Sequence, residues 1–318
     1  MSFETIAGAL SRQRVYSDLF FDPTSMSDKE KEEVTKTFAL SLHAEVSEIA
    51  SAVNFKDHRR VQVPVDRNKL LYKSVDAFRY VLGLLNLWEI DPQTFIQACE
   101  DKDLYLHRRH LESENKRGDR PVVIFDVDDV IAEFRKSFFE YLDRKWGIKA
   151  DINDKQYYSA AELQKSGLNA EAAFDTFIKD GGFRSLEVNN TAFEAMRMCR
   201  DAGYWVQILT ARPSENLKCF YDTHRWLHEA RVPFDSVAFS PEKYLWLTAQ
   251  DFYAKKELIC VIDDSTKHAS EFAKHGVPVI VPVKSYNEDT QGNSGIQRVN
   301  FDQISSHALF EMIRSHRR

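Results

Sequence analysis

The spacing of apolar residues changes character near residue 115 of this 318-residue chain. Before that point, apolar residues recur three and four positions apart, which predicts helices over residues 27–52, 68–88 and 92–110. Ser27 followed by Glu30 has the pattern of a capping box, and Asp91-Pro92 is typical of a helix start. The N-terminal part is therefore expected to be entirely α-helical.

After residue 115, short apolar runs alternate with helical patterns. The runs predict strands at 122–125, 204–209, 236–239, 258–262 and 277–281, with helices at 191–202, 214–230 and 266–274 between them. This alternation favours an α/β, Rossmann-like fold with a parallel sheet and right-handed crossovers. About 75 residues separate the first two strands, more than one crossover helix needs. Residues from about 138 to 182 are therefore predicted to form a small helical cap over the sheet edge.

Two polar segments divide the chain. Residues 54–67 contain Pro64 and are predicted to form a loop between helices, and residues 114–120 contain Gly118 and are predicted to form a linker. We therefore expect two domains, an all-α domain over 1–115 and an α/β domain over 116–318.

Composition narrows the class of protein. The chain is 43% hydrophobic and 29% charged, has no membrane-spanning stretch and begins without the pattern of a signal peptide, so a cytoplasmic protein is expected. Its four cysteines lack CxxC spacing and lie among apolar neighbours, which favours buried free thiols over zinc ligands or disulfides. A net charge of −6 argues against a dedicated nucleic-acid binder but is compatible with a local basic groove.

The predicted chemistry lies at the ends of the strands. The run 122–125 leads into Asp126, Asp128 and Asp129, and the run 258–262 leads into Asp263 and Asp264. Crowded carboxylates after buried strands repel one another, and a cation such as Mg²⁺ relieves that repulsion. The sequence therefore predicts a metal centre in which one carboxylate is also placed to act as a nucleophile.

Two further strand ends complete the predicted site. Thr210 and Arg212 follow the second strand, and Lys243 follows the third. Because the carboxyl ends of parallel strands meet at one edge, a hydroxyl and cations for phosphate binding would join the carboxylates there. Each motif alone has a structural alternative, since the first acidic cluster is compatible with a Ca²⁺ loop or a helix cap. Thr210 and the pair Asp263-Asp264 are likewise compatible with helix caps.

These motifs, in this order from residue 121 to about 313, resemble those of the haloacid dehalogenase (HAD) superfamily of phosphatases. The resemblance implies that Asp126 attacks phosphorus to form an aspartyl-phosphate and that Asp128 protonates the leaving oxygen and later activates water. It also implies Mg²⁺ held by the Asp126 carboxylate, the Asp128 carbonyl and Asp263, with Asp264 as a second ligand or an orienting residue. Thr210 and Lys243 would hold the phosphoryl oxygens, with Lys255 and Lys256 as alternatives to Lys243. Asp129 has no catalytic assignment and is expected to cap the following helix.

Two branches of that superfamily are similar to this chain. Residues 126–134 (DVDDVIAEF), 284–287 (KSYN) and 298–304 (RVNFDQI) look like the opening and closing segments of 5′-nucleotidases and deoxyribonucleotidases. Residues 210–212 (TAR), 225–227 (RWL) and 232–235 (VPFD) look like the 3′-phosphatase domain of phage polynucleotide kinase-phosphatases. The acidic charge and the closing segment favour the mononucleotide branch.

The N-terminal helices carry a second acidic pattern. Glu45 and Glu48 share one helix face, and Asp76 interrupts an apolar run on the next helix. A carboxylate in such a place needs a partner, and a shared metal ion would supply one. Surface glutamates at this spacing are also common without a function.

Together with Phe55-Lys56 and the segment 102–108, this pattern resembles the MazG-like and dimeric dUTPase group of all-α nucleoside triphosphate pyrophosphatases. Lys73 departs from that resemblance, because it stands where the second motif has glutamate. The resemblance implies a nucleotide-handling domain, with an altered hydrolase, a nucleotide sensor and a dimerisation module all left open. It also implies a homo-oligomer, most simply a dimer, formed through the helical domain.

The sequence as a whole thus predicts a phosphoric monoester hydrolase with Mg²⁺ as cofactor and a (deoxy)nucleoside monophosphate as its small-molecule substrate. A polynucleotide 3′-phosphatase is the second hypothesis for the same site. The third hypothesis is a nucleotide sensor, in which the helical domain binds nucleotide without turnover. If that domain is instead a pyrophosphatase, it would generate monophosphates that the phosphatase consumes.

Overall fold

The computed structural model describes residues 3–53, 64–114, 119–156, 160–250, 257–290 and 292–317. Contacts divide the chain into two compact units, residues 1–100 and 101–318. Helix α4 begins in the first unit and ends in the second, because it spans residues on both sides of position 100.

The first unit consists of helices, as the apolar spacing predicts. They are α1 (Phe3–Ser17), α2 (Asp28–Ser51), α3 (Arg67–Leu87) and the start of α4 (Pro92–Glu114). The predicted capping box is confirmed, since Ser27 Oγ accepts from the Glu30 N–H and the Glu30 carboxylate accepts from the Ser27 N–H at 2.8 Å. Helix α1 is absent from the prediction. It packs on α3, where Ile6 and Leu10 join Leu82 and Leu85 in a small buried core.

The second unit alternates strands and helices. The strands are β1 (Val122–Phe125), β2 (Trp205–Thr210), β3 (Ser236–Phe239), β4 (Leu258–Ile262), β5 (Val279–Pro282) and β6 (Ile296–Val299). The helices are α5 (Phe134–Trp146), α6 (Ala160–Ser166), α7 (Ala170–Lys179), α8 (Asn190–Asp201), α9 (Leu217–Glu229), α10 (Lys243–Thr248), α11 (Thr266–Lys274) and α12 (Ser306–Ser315), with 3₁₀ turns at Gly182–Arg184 and Ser285–Thr290.

The six strands form one parallel sheet in the order β3-β2-β1-β4-β5-β6. Side chains alternate across β1, so Val123 and Phe125 enter one hydrophobic cluster and Val122 and Ile124 enter the other. Helices cover both faces, and this explains why the strands are continuously apolar. The predicted parallel α/β fold is confirmed, and β1 lies in the middle of the sheet with its carboxyl end flanked by β2 and β4.

The described part of the long segment between β1 and β2 contains several helices. Helices α6 and α7 lie within the predicted cap region, and the 3₁₀ turn Gly182–Arg184 follows α7. Gly181 adopts a positive φ of 78°, and a Cβ at Gly182 would lie 2.3 Å from the Phe177 ring. These two glycines therefore permit a turn that a larger residue would prevent.

The cysteines differ in part from expectation. All four are free thiols, but only Cys199, Cys219 and Cys260 are buried, whereas Cys99 is exposed. Burial raises the pKa of the Cys199 thiol to about 12, so this thiol stays protonated at neutral pH. Within the described ranges, no helix combines the length and the apolar character needed to cross a bilayer.

Candidate active site

Asp126 lies directly beyond the central strand of the sheet. Its N–H donates to the carbonyl of Ile262 at 2.9 Å, which continues the pairing of β1 with β4 by one residue. The same pairing brings Asp263 and Asp264, which follow β4, beside Asp126. All three carboxylates are buried, with 6%, 1% and 3% of their surface exposed. Hence the topology brings together two acidic motifs that are 137 residues apart in sequence (263 − 126).

Lys243 lies between two of these carboxylates. Its Nζ is 2.8 Å from Asp126 Oδ1 and 2.7 Å from Asp263 Oδ2, and the side chain is 1% exposed. Burial alone would lower the pKa of Lys243, but the carboxylates of Asp126 and Asp263 outweigh burial and raise it above its ordinary value. The ammonium is therefore charged. Lys255 and Lys256, the alternatives to Lys243, lie outside the described residues.

One lysine does not balance the negative charge of this cluster. Burial raises the pKa of Asp126 to about 6 against the opposing effect of Lys243, and Asp263 and Asp128 raise it further. Burial also raises the pKa of Asp264 well above its ordinary value, with Asp126, Asp129 and Asp263 adding to the effect. The cluster thus resists ionisation unless a further cation is present.

The donor set fits a hard divalent cation. Oxygen atoms of Asp126, Asp263 and Asp264 all lie within 4.8 Å of one another; among the described residues, this is the one such group of three or more histidine, cysteine or acidic side chains. Buried carboxylate oxygens are the ligands that Mg²⁺ prefers, and a divalent charge would favour their ionised forms. Residues of the predicted metal site are therefore brought together.

Asp128 makes a two-pronged ion pair with Arg212. Arg212 Nη2 lies 2.6 Å from Asp128 Oδ1, and Arg212 Nε lies 2.9 Å from Asp128 Oδ2. A third nitrogen, Nη1, donates to Thr223 Oγ1 at 2.9 Å, and the guanidinium stacks 4.1 Å above the Phe183 ring. Sequence reasoning placed Arg212 at this edge but did not pair it with Asp128, because the two residues are 84 positions apart.

Thr210 is fully buried at the end of β2, and its hydroxyl accepts from the N–H of Arg212 at 3.2 Å. The alternative in which Thr210 caps α9 is wrong, because Asn216 caps that helix by accepting from the N–H of Cys219. Helix α11 is likewise capped by Ser265, while Asp263 accepts from the Ser265 N–H at 2.9 Å. Neither motif is thus explained by helix capping alone.

Asp129 has the structural role that the sequence predicts. Its Oδ1 accepts from the Arg135 N–H at 3.0 Å in the first turn of α5, and its φ is 52°. In addition, the Tyr286 hydroxyl lies 3.1 Å from Asp129 Oδ2 and 2.5 Å from Asp264 Oδ2. Tyr286 therefore links the turn after β1 to the acidic cluster, a contact that the sequence does not predict although the segment 284–287 is part of the resemblance to 5′-nucleotidases.

A cavity of about 460 Å³ opens on the cluster. Its polar end includes Asp126, Asp128 and Arg212, and its apolar wall includes the rings of Phe134, Phe174 and Phe183. Phe134 stacks on Phe183 with ring centroids 5.7 Å apart, and Phe174 meets Phe183 edge-on at 5.8 Å. The cavity therefore offers a charged end for an anion and an aromatic wall for a flat, apolar group.

The metal site predicted in the helical unit has a lysine among its carboxylates. The Lys73 Nζ lies 3.2 Å from Glu45 Oε2, 3.1 Å from Glu48 Oε2 and 3.8 Å from Asp76 Oδ2. The hydrogen bonds that Lys73 donates to Glu48 and Glu45 raise its pKa above the ordinary value. An ammonium thus stands among the three carboxylates, where the resemblance implies a metal ion. Phe55 and Lys56, also part of that resemblance, lie outside the described residues.

Comparison with known structures gives distant neighbours. A predicted phosphatase from Clostridium acetobutylicum is 15% identical, with a TM-score of 0.44 over 62% of this chain and 99% of that chain. CbbY from Rhodobacter sphaeroides, in complex with phosphate, is 17% identical, with a TM-score of 0.39 over 58% of this chain and 96% of that chain. Comparison with curated proteins gives no match.

The family comparison covers the parallel sheet and the site. Residues 120–301 match the family described as 5′ nucleotidase, deoxy (pyrimidine), cytosolic type C protein (NT5C), which is more than half of the chain. The match begins just before β1 and ends after β6, and so includes all the strand ends described above. The chain therefore belongs to the NT5C family of HAD-type 5′ nucleotidases.

Proposed function

We propose that the protein is a Mg²⁺-dependent 5′-nucleotidase that releases phosphate from (deoxy)nucleoside monophosphates. Membership of the NT5C family supports phosphomonoester hydrolysis. The observation that carries the proposal is that Asp126 lines the polar end of a cavity with an aromatic wall, while Lys243 joins Asp126 to Asp263 at 2.7–2.8 Å. A nucleoside monophosphate has the matching shape, with an anionic phosphate at one end and a flat base at the other.

In the proposed first step, an Asp126 carboxylate oxygen attacks phosphorus, and the bond from phosphorus to the 5′ oxygen breaks. Asp128 gives a proton to that oxygen, so the nucleoside leaves neutral. In the second step, Asp128 takes a proton from water, the water oxygen bonds to phosphorus, and the bond to Asp126 breaks. Phosphate leaves, Asp126 is again a carboxylate and Asp128 is again protonated, as at the start of the cycle.

Other side chains hold the phosphoryl group and the metal ion in this proposal. Thr210 and Lys243 are assigned to the phosphoryl oxygens. Asp126, Asp263, Asp264 and the carbonyl of Asp128 are assigned to Mg²⁺, which when bound supplies positive charge to the phosphoryl oxygens. The ion pair of Arg212 keeps Asp128 oriented towards the cavity.

The test is a substrate screen with the whole chain, using 5′-monophosphates, triphosphates and a 3′-phosphorylated oligonucleotide with and without Mg²⁺. We expect release of phosphate from the 5′-monophosphates, loss of turnover in Asp126→Asn, and full turnover in the exposed control Asp201→Asn. Retained turnover in Asp126→Asn would contradict the mechanism. Activity confined to the oligonucleotide would instead support the polynucleotide 3′-phosphatase.

The charges around the cavity favour the mononucleotide. Among the described residues, the lysine and arginine side chains that line it are Lys155, Arg212 and Lys267, and each contacts a carboxylate: Glu288, Asp128 and Glu242, respectively. A polynucleotide needs unneutralised basic side chains along its backbone. The basic residues that line the cavity therefore lend little support to the second candidate.

For the helical unit, we propose nucleotide binding without triphosphate hydrolysis. The supporting observation is the Lys73 ammonium among Glu45, Glu48 and Asp76, because a fixed cation there competes with the metal ion that hydrolysis would use. An adjacent cavity of about 500 Å³ is lined by several aromatic rings: Tyr16, Phe20, Phe21, Phe38 and Tyr80. Isothermal titration with a nucleotide set should show binding, and the screen above should show no pyrophosphate release.

We also propose that the chain forms a homo-oligomer, most simply a dimer, through the helical unit. One stripe of α3 carries Leu71, Val75, Phe78, Leu82 and Leu85, of which α1 covers the last two while the first three are exposed. A second copy would bury the open half of that stripe. Light scattering should give twice the chain mass for the wild type and a lower mass for Leu71→Glu.

Burial of Cys199, Cys219 and Cys260 as free thiols supports a cytoplasmic location.

A further inference from the structure

Asp101, on α4, lies outside the residues that match the nucleotidase family. Its side chain is 10% exposed and its carboxylate receives two arginines. Arg225 Nε, from α9, contacts Asp101 Oδ1, and Arg184 Nη2, from the 3₁₀ turn, lies 3.3 Å from the same oxygen. A carboxylate this buried is held by the charges around it, so its position and those of the two arginines depend on one another.

A second carboxylate extends this network. Arg184 Nε lies 3.7 Å from Asp222 Oδ1, and Lys218 Nζ lies 2.7 Å from Asp222 Oδ2. Lys218, Asp222 and Arg225 follow one another at helical spacing on a single face of α9. The network therefore ties three elements together: α4, the 3₁₀ turn Gly182–Arg184 and α9.

Two of these elements hold parts of the candidate active site. The 3₁₀ turn places Phe183 next to Arg184, and Phe183 lines the cavity and stacks under Arg212 at 4.1 Å. Helix α9 supplies Thr223, whose hydroxyl accepts from Arg212 Nη1. Arg212 in turn makes the ion pair with Asp128. Asp101 is thus connected to the site in two ways, through the 3₁₀ turn that carries Phe183 and through helix α9, which carries Thr223. Both Phe183 and Thr223 contact Arg212.

We propose that Asp101 is a positioning residue of the phosphatase site, which fixes the turn Gly182–Arg184 and helix α9 and thereby sets the Phe183 ring and the Arg212 guanidinium. This inference rests on the proposed nucleotidase activity. It makes the part of α4 from Asp101 onward contribute to the phosphatase site, although the family match starts only at residue 120.

The experiment compares Asp101→Asn with Asp103→Asn in the full-length chain. Asp103 lies on the same helix and is exposed, so it controls for loss of an acidic residue from α4. With thymidine 5′-monophosphate and Mg²⁺, we expect Asp101→Asn to lower kcat/KM about tenfold, since small displacements of catalytic groups cost that much or more. We expect Asp103→Asn to stay within twofold of the wild type.

A double-mutant cycle separates positioning from stability. If Asp101 acts through Arg184, then Asp101→Asn combined with Arg184→Gln should be no slower than the slower single variant. A purely structural role would shift the urea midpoint of unfolding while leaving the kcat/KM of the folded protein unchanged. If Asp101→Asn fails to fold, Asp101→Glu and Arg184→Gln carry the same comparison.

The outcomes are distinguishable. A wild type that is active, with Asp101→Asn or its substitutes equal to Asp103→Asn, overturns the role of Asp101 and leaves the nucleotidase in place. If neither the wild type nor Asp126→Asn releases phosphate from any phosphomonoester, the proposed function is overturned, and the role of Asp101 with it.

Discussion

Arg212 holds Asp128 by two nitrogens, with Nη2 2.6 Å from Oδ1 and Nε 2.9 Å from Oδ2. The guanidinium is itself fixed by Thr223 and by the Phe183 ring, and its side chain is 2% exposed. Because the planar Arg212 guanidinium is held by these contacts, it fixes the orientation of the Asp128 carboxylate. In the proposed mechanism, Asp128 therefore meets the leaving oxygen from a set direction.

Replacing Arg212 with lysine should show the value of that geometry. A lysine keeps the charge but cannot donate through two nitrogens in one plane, so Asp128 would lose its fixed orientation. We expect kcat for a 5′-monophosphate to fall by about 100-fold, in the range typical of general acid–base catalysis. The control is Arg197→Lys, the same substitution in an exposed pair with Glu194, which should leave kcat unchanged. A full-rate Arg212→Lys variant would contradict an orienting role.

Lys243→Met tests the balance of charge in the acidic cluster. Removing the ammonium leaves Asp126 and Asp263 buried without their cation. In the absence of Mg²⁺, we expect the free energy of unfolding to fall by about 3 kcal/mol, as for other broken buried pairs. Mg²⁺ should recover more stability in this variant than in the wild type, because it supplies the missing charge.

The measurement is urea unfolding with and without Mg²⁺, and the matched control is Lys267→Met. Lys267 pairs with Glu242 at an exposed position, so its removal should leave the unfolding midpoint unchanged. Equal Mg²⁺ responses in Lys243→Met and the wild type would argue against a metal ion beside Asp126.

The strands that hold the site were predictable because they are buried on both faces. Strands β1, β3 and β4 have the predicted bounds, and β2 and β5 differ by one or two residues. Strand β6 was missed because it lies at the sheet edge, where Gln297 is exposed and Arg298 is partly buried, so it lacks a continuous apolar run. Helix α1 was missed because its buried residues are few.

The positions of the site residues followed from the sequence, but their partners did not. Parallel topology predicts that Asp126, Thr210, Lys243 and Asp263 meet at one edge, and they do. The pairs Asp128–Arg212, Tyr286–Asp264 and Asp101–Arg184 depend on side-chain directions and on loops between distant elements. Such contacts leave no spacing pattern in the sequence.

Lys73→Met should reveal the acidic character of the helical unit. Without the ammonium, Glu45, Glu48 and Asp76 repel one another across α2 and α3, so the variant should unfold at lower temperature than the wild type. Adding Mn²⁺ should raise the melting temperature of this variant more than that of Lys36→Met, in which an exposed lysine paired with Glu33 is removed. An identical Mn²⁺ response in the two variants would show that Lys73 does not stand in for a cation.

Buried His224 should make the protein sensitive to mild acid. It is 5% exposed and packs against the rings of Tyr105, Phe220 and Phe239. Burial, with a smaller contribution from Arg108, lowers the pKa of His224 to about 4. In the unfolded chain the pKa is about 6.5, so the unfolded state binds the proton first as the pH falls. Stability from this group is complete above pH ~6.5 and is lost between there and pH ~4, by up to about 3 kcal/mol.

The variant His224→Phe keeps a ring among the same aromatic neighbours but has no proton to bind. We expect its urea midpoint to fall less than that of the wild type between pH 7 and pH 4.5, measured by far-UV circular dichroism. His275→Phe is the control. His275 is exposed, so its replacement should leave the pH dependence of the urea midpoint the same as in the wild type. The urea midpoint of His224→Phe should still fall somewhat with pH, since burial also lowers the pKa of His268 to about 4. If His224→Phe and the wild type lose stability equally, the acid sensitivity arises elsewhere, and the packing of His224 against α4 does not depend on its charge.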